Sequence, residues 1–281
     1  MRRGVHAGDN PVVTRRIPHD QQLGLWADES PSTGPIRIGT SGWHYKHWRG
    51  PFYPPDLPAS SMLRFFARHF DCVELNNSFY RLPTREAFGH WRDTTPDDFA
   101  FAIKASRFMT HVKKLQDAKQ TIGRLTSAAA GLGPKRGPVL FQLPPSWSVD
   151  VDRLRAFLEQ WPRDWPNTWE FRDDSWFRDE VYDVLAERGA GLCLHDLHGR
   201  RTPEVLTSAL VYVRLHGPGK AYEGSYPDAL LDAWARKLVG WAAEGYTPWA
   251  FFNNDWQAHA VQDATRLRAR VRAQLGLEAA A

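Results

Sequence analysis

The sequence predicts an α/β protein built as a single (β/α)8 barrel of the TIM type, preceded by a flexible N-terminal leader. Three observations carry this. From Ile36 onward, short β-branched and aromatic runs alternate with longer segments of helical periodicity, eight times in all. The chain has 281 residues, and closed barrels of about 250 residues are routine. Polar side chains also recur at the carboxyl ends of the strand-like runs, where such barrels carry their chemistry. An open doubly wound sheet is the alternative, but the first turn, Gly39-Thr-Ser-Gly42, lacks the G-x-G-x-x-G spacing that usually opens one.

The elements follow in order. Residues 1–35 are rich in Pro, Gly and charge without periodicity and are expected to form the leader, the barrel spanning 36–275 and a short tail 276–281. Ile36–Thr40 is the first strand, followed by a long aromatic loop, and Ser60 or Ser61 caps a helix through Phe70. Cys72–Asn76 is the second strand, with a helix from Thr84 to Arg92. Phe99–Lys104 is the third, with a helix from Asp117 to Ala130. Pro138–Gln142 is the fourth, and Asp150 or Asp152 opens a helix to Trp161. The fifth lies in Thr168–Arg172, before a helix from Arg178 to Arg188. Gly191–His195 is the sixth, with a short irregular return. Leu210–Leu215 is the seventh, with a helix from Asp228 to Glu244, and Pro248–Asn253 is the eighth, with a helix from Ala258 to Leu275.

Composition bounds the function. The hydrophobic fraction is 42% and the mean hydropathy is −0.51. No apolar run approaches the roughly 20 residues of a spanning helix, and the Arg-rich start has no apolar stretch behind it, so no membrane association and a cytoplasmic location are expected. Only Cys72 and Cys193 are present, both in strand-like runs, which reads as buried thiols in a reducing compartment. The net charge is +4 and the pI about 9.1; this allows an acidic partner without requiring one. The chain has no P-loop, H-E-x-x-H, C-x-x-C or G-x-S-x-G motif.

Strand parity then selects a site, because side chains two apart share a face. Glu74 and Asn76 lie opposite Val73 and Leu75. Lys104 ends the third strand opposite Phe101 and Ile103, and Gln142 ends the fourth. Glu170 and Arg172 lie opposite Trp169 and Phe171. Asp196 follows the sixth strand, Arg214 and His216 close the seventh, and Asn253 and Asn254 the eighth. Lys104, Arg172 and Arg214 suit an anionic or phosphorylated ligand, with amides at Asn76, Gln142, Asn253 and Asn254 orienting it. Glu74 and Glu170 read as an acid/base pair, with Asp196 and His216 as further catalytic candidates. Tyr45 and Tyr226 are the loop aromatics expected to touch substrate, among others that could stack on bases or sugars. The cations argue against zinc; a magnesium ion is compatible, and no other cofactor is implied.

Several ordered motifs carry a resemblance. They are Gly39-Thr-Ser-Gly-Trp-His-Tyr45, Val73-Glu-Leu-Asn-Asn-Ser-Phe-Tyr80, Phe101-Ala-Ile-Lys104, Phe141-Gln-Leu-Pro-Pro145, Trp169-Glu-Phe-Arg172, Tyr212-Val-Arg-Leu-His-Gly217 and Phe252-Asn-Asn-Asp255. Together the chain from Ile36 to the last helix resembles the DUF72 (YecE-like) family. The resemblance implies a TIM barrel and leaves the activity open. It also implies a departure: Asp173-Asp174 stand where relatives often have a His before Ser175-Trp176. The residues themselves point first to hydrolysis of a phosphate-bearing substrate such as nucleic acid. Acid/base or glycosidic chemistry on a sugar, and non-catalytic binding of a phosphorylated metabolite or RNA, are the alternatives.

Overall fold

In the computed structural model, residues 36–197, 199–219 and 222–277 are described. The expected leader, 1–35, and most of the tail, 278–281, lie outside them. The strands are β1 (Arg37–Thr40), β2 (Cys72–Leu75), β3 (Ala100–Lys104), β4 (Arg136–Gln142), β5 (Asn167–Glu170), β6 (Gly191–Leu197), β7 (Arg200–Arg201), β8 (Leu210–Leu215) and β9 (Thr247–Phe252). The helices are α1 (Met62–Phe66), α2 (Asn77–Tyr80), α3 (Arg85–Thr94), α4 (Ala118–Ala129), α5 (Val151–Gln160), α6 (Asp179–Glu187), α7 (Asp228–Ala243) and α8 (His259–Gln274).

Among the described residues, eight parallel strands run in the order β1-β9-β8-β6-β5-β4-β3-β2, and β7 pairs antiparallel with the end of β6. The remaining seam, between β1 and β2, is joined by a parallel bridge from Ser41 to Glu74, with the Gly42 N–H donating to Glu74 O at 2.8 Å. The result is a nearly closed (β/α)8 barrel. Gly39 makes the seam tight, since a Cβ there would lie 2.4 Å from Cys72 O.

Alternation along each strand separates two cores. Val73, Leu75, Phe101, Ile103, Phe141, Trp169, Val213 and Phe252 face outward and pack with the helices in the larger core. α7 and α8 meet them with Leu231, Trp234, Ala235 and Leu238, and with Val261, Ala264, Leu267 and Val271, which recur at helical spacing. The smaller core is the barrel interior: Cys72, Ala102, Leu140, Cys193, Tyr212, Trp249 and Phe251. Trp249 fills the amino-terminal end so fully that a Cβ on Gly137 would lie 3.0 Å from its ring. That plug leaves the carboxyl end as the place where the interior turns polar.

Local signals place several boundaries. The Thr84 hydroxyl accepts the Ala87 N–H at 3.2 Å and opens α3, and Asp150 accepts the Arg153 N–H at 3.1 Å and opens α5. The helix expected through Phe70 is shorter: a 3-10 turn at Ala59–Ser61 leads into α1, which ends at Phe66. β6 runs on to Leu197 rather than ending at His195, because β7 folds back on it.

Candidate active site at the barrel mouth

Arg214 is the centre of the site. It lies on β8, two residues beyond the interior Tyr212, and is fully buried. Its guanidinium grips Glu74 of β2 in bidentate fashion, Nη2 to Oε1 at 2.8 Å and Nε to Oε2 at 3.0 Å. Nη1 donates to Glu170 Oε2 at 2.6 Å and to His216 Nε2 at 3.1 Å. One cation thus bridges carboxylates on two strands, β2 and β5, that are separated by β3 and β4 in the barrel. Such buried charges persist only when paired and hydrogen-bonded.

The remaining carboxylate lone pairs are occupied as well. Ser41 Oγ donates to Glu74 Oε1 at 2.7 Å and Tyr212 OH to Oε2 at 2.8 Å. Glu170 Oε1 accepts from Nε and Nη2 of Arg172, which lies just beyond β5. Burial alone would raise the Glu170 carboxyl, but Arg172 and Arg214 overcome it and hold the group well below the usual carboxylate range.

His216 is neutral. Its Nδ1 lies 2.8 Å from the Asp196 carbonyl, which only accepts, so that nitrogen carries the proton. Nε2 then accepts from Arg214 and, at 3.2 Å, from Arg172. Burial and the adjacent Arg214 push its pKa well down, in keeping with this.

Lys104 differs from the other charges. It ends β3 inside the barrel, with Nζ 4.4 Å from the centre of the Phe79 ring. Among the described residues no carboxylate lies within ion-pair distance of it, because Glu74 and Glu170 are taken by the guanidiniums. Burial, with Arg214 next in effect, brings its pKa down to about 8. Two guanidiniums balance two carboxylates, and the lysine is the charge left over. Arg172 also keeps Nη1 without a hydrogen-bond partner among the described residues, and its side chain is 11% exposed.

The amides and Tyr45 rim this centre. Asn76 Oδ1 is buried with no hydrogen-bond partner, and the Tyr45 hydroxyl donates to Ser41 O at 2.6 Å. Gln142, half-buried, is in register with Glu170 on β5 and donates to Leu143 O at 3.3 Å. Asn253 follows β9 in the inward register of Trp249 and Phe251.

Three predicted residues fall outside the interior, and strand parity explains two of them. Because β6 continues past His195, the inward positions are Cys193 and His195, and Asp196 faces out. The Asp196 carboxylate accepts the His216 N–H at 2.8 Å and the Tyr226 hydroxyl at 2.6 Å. Tyr226 is itself 1% exposed and accepts the Gly217 N–H, so it supports the loop after β8 from behind. Asn254, one residue past Asn253, donates to Gly224 O and Asp263 Oδ2. These three brace the mouth from outside. Arg214, expected to touch an anion, is instead consumed by the carboxylates.

Residues not anticipated take their places. Ser41 and Tyr212 hold Glu74, the Cys193 thiol lies 3.9 Å from Glu170 Oε2, and His195 lies with its ring centre 6.0 Å from that of His216. Parity would have found Tyr212, Cys193 and His195, each two residues from an interior position. His195 Nδ1 pairs with the Thr202 hydroxyl at 2.7 Å, Nε2 has no partner among the described residues, and burial lowers its pKa. Among the described residues, no group of three or more His, Cys, Asp or Glu side chains is disposed to hold a metal ion. No described helix is long and apolar enough to cross a membrane.

Fold and site together define a (β/α)8-barrel protein with a cluster of charged side chains at the carboxyl ends of its strands. The chain belongs to the DUF72 family, described as a protein of unknown function, whose family model matches residues 37–280. It is 30% identical over 172 residues to the UPF0759 protein YecE of Escherichia coli O157:H7, covering 61% of this chain and 58% of that one. It is 31% identical over 160 residues to the UPF0759 protein YunF of Bacillus subtilis (strain 168), covering 53% of this chain and 54% of that one. The chain thus spans little more than half the length of the curated relatives it matches. The crystal structure of a DUF72 family protein from Thermotoga maritima superposes with a TM-score of 0.76 at 26% identity, covering 84% of this chain and 99% of that chain.

Proposed function

We propose that this protein is a hydrolase acting on a phosphate-bearing substrate held at the barrel mouth. The observation that carries the reading is the Lys104 ammonium: half-buried among charges and, among the described residues, left without a carboxylate at ion-pair distance and flanked by an Arg172 edge with an unused N–H. Withdrawing a cation from water without an ion-pair partner is costly, and a phosphoryl group is the ligand that offsets it with several acceptor oxygens. Lys104 and Arg172 would bind the phosphoryl oxygens and stabilise the charge that grows on them during attack.

The base assignment moves away from the glutamates. Glu170 is held ionised with both oxygens engaged, so it is a poor proton acceptor, and Glu74 is wrapped by Arg214, Ser41 and Tyr212. His195, neutral and with no partner on Nε2 among the described residues, is the group suited to orient and deprotonate an attacking water. The water oxygen bonds to phosphorus, the ester P–O bond breaks, and Lys104, protonated at neutral pH, supplies a proton to the leaving oxygen. A glycosidase-type pair is disfavoured, because the Arg214 guanidinium lies between Glu74 and Glu170, where the sugar would have to sit.

The test is hydrolysis of bis(p-nitrophenyl) phosphate and of labelled single-stranded DNA and RNA, with and without magnesium. It is paired with calorimetric titration of inorganic phosphate. Turnover lost in His195→Gln, with phosphate binding retained there and lost in Lys104→Met, is the expected pattern. Phosphate binding without turnover on any ester would make the protein a binder rather than a hydrolase. Unchanged phosphate binding in Lys104→Met would remove the reading altogether.

A further inference from the structure

A shallow, open groove outside the mouth has no role in the chemistry above. It runs along α4, walled by the segment after α2, the start of α3 and the turn after β3. Two clefts form it, sharing Leu82 and Arg124: one holds Tyr80 and Phe108, the other Arg85 and Lys119. Tyr80 is 83% exposed and Phe108 42%, high values for large apolar rings. Arg85, Lys119 and Arg124 are exposed, no acidic side chain lines either cleft, and no carboxylate lies within ion-pair distance of these three among the described residues. The groove also connects to the mouth, for Tyr80 meets the Phe79 ring edge-on at 5.2 Å, and Phe79 lies under Lys104 Nζ.

We propose that this groove is a track for single-stranded nucleic acid, leading a strand toward Lys104. The backbone phosphates would lie on Arg85, Lys119 and Arg124, and unstacked bases on Tyr80 and Phe108. Exposed cations with no carboxylate at ion-pair distance among the described residues supply the sequence-independent attraction to phosphate. Exposed aromatic faces at the mouth end supply stacking, which every base offers. An acidic polypeptide would satisfy the cations but gives no reason for the two exposed rings, and a duplex keeps its bases stacked away from them. The inference rests on the reading that the mouth takes a phosphoryl group, naming the larger molecule that carries it.

The experiment is fluorescence anisotropy of labelled oligothymidylate and oligouridylate over a range of salt concentrations, with calorimetric phosphate titration of the same proteins. Tyr80→Ala and Phe108→Ala should each weaken binding by about 5- to 150-fold. The triple variant Arg85→Gln, Lys119→Gln, Arg124→Gln should weaken it further and flatten the log–log salt slope by about 2, three phosphates at roughly 0.7 each. All of these are surface changes that should leave phosphate binding intact. Lys104→Met should do the reverse, losing phosphate binding while keeping most oligonucleotide affinity. If the groove variants lose the oligonucleotide while no variant or wild-type protein binds phosphate, the groove stands and the mouth reading falls. Oligonucleotide binding that is absent at low salt, or untouched by the groove variants, overturns the proposal. So does equal displacement by polyglutamate with no effect of Tyr80→Ala, which assigns the groove to an acidic polypeptide.

Discussion

Replacing Arg214 with Met is the sharpest perturbation of the buried network. The residue is 0% exposed and makes hydrogen bonds of 2.6 to 3.1 Å to Glu74, Glu170 and His216. Met fills most of the volume, so the loss is electrostatic rather than a cavity. Glu170 keeps Arg172, but Glu74 is left with only the Ser41 and Tyr212 hydroxyls. Removing one partner of a buried ion pair destabilises by about 3–5 kcal/mol. With roughly 2–4 °C per kcal/mol in a large domain, the melting temperature should fall by about 6–20 °C. The control is the double variant Arg214→Met, Glu74→Gln, which leaves the Glu170–Arg172 pair in place, removes the stranded carboxylate charge and should recover most of the loss. Differential scanning calorimetry of both, at fixed pH and salt, reads the effect. A fall under about 2 °C in the single variant, or an equal fall in the double variant, would refute the closed network.

The Lys104 amine binds fewer protons in the folded chain than in the unfolded one between its lowered value of about 8 and about 10.4. Stability should therefore rise with pH across that window, and Lys104→Met should abolish the rise in urea titrations. Over the same range, loss of the ammonium should weaken phosphate binding progressively above pH 8. Tyr226→Phe removes the hydroxyl from Asp196 and from the Gly217 N–H. It should destabilise by about 1–3 kcal/mol for each group left unpaired, with phosphate affinity unchanged; a change in affinity with stability intact would place Tyr226 at the ligand instead. Gly39→Ala sets a methyl 2.4 Å from Cys72 O, so the β1–β2 seam must open. A melting temperature within error of wild type would contradict the close approach.

The barrel was legible because its two cores are written at period two. Val73 and Leu75 against Glu74, or Tyr212 and Arg214 against Val213, announce which face meets the helices. The same rule placed Glu74, Lys104, Gln142, Glu170, Arg214 and Asn253 at one end of the interior. It failed at Asp196 and Asn254 because parity depends on where a strand continues, and nothing in Gly191–His195 signals that β7 will fold back and extend β6. Pairing was beyond sequence for another reason. Arg214 reaches Glu74 across a chain separation of 140 residues, and only the closed geometry decides that it, rather than Lys104, takes both carboxylates. The excess charge, and with it the functional reading, follows from that choice.

The most direct measurement is a crystal structure grown or soaked with phosphate, or with tungstate for its strong scattering. The account predicts the anion in the barrel mouth, within hydrogen-bond reach of Lys104 Nζ and Arg172 Nη1, with Arg214 still clasped between Glu74 and Glu170. A mouth empty of anion, with Lys104 turned onto a carboxylate and the network neutral on its own, would contradict it.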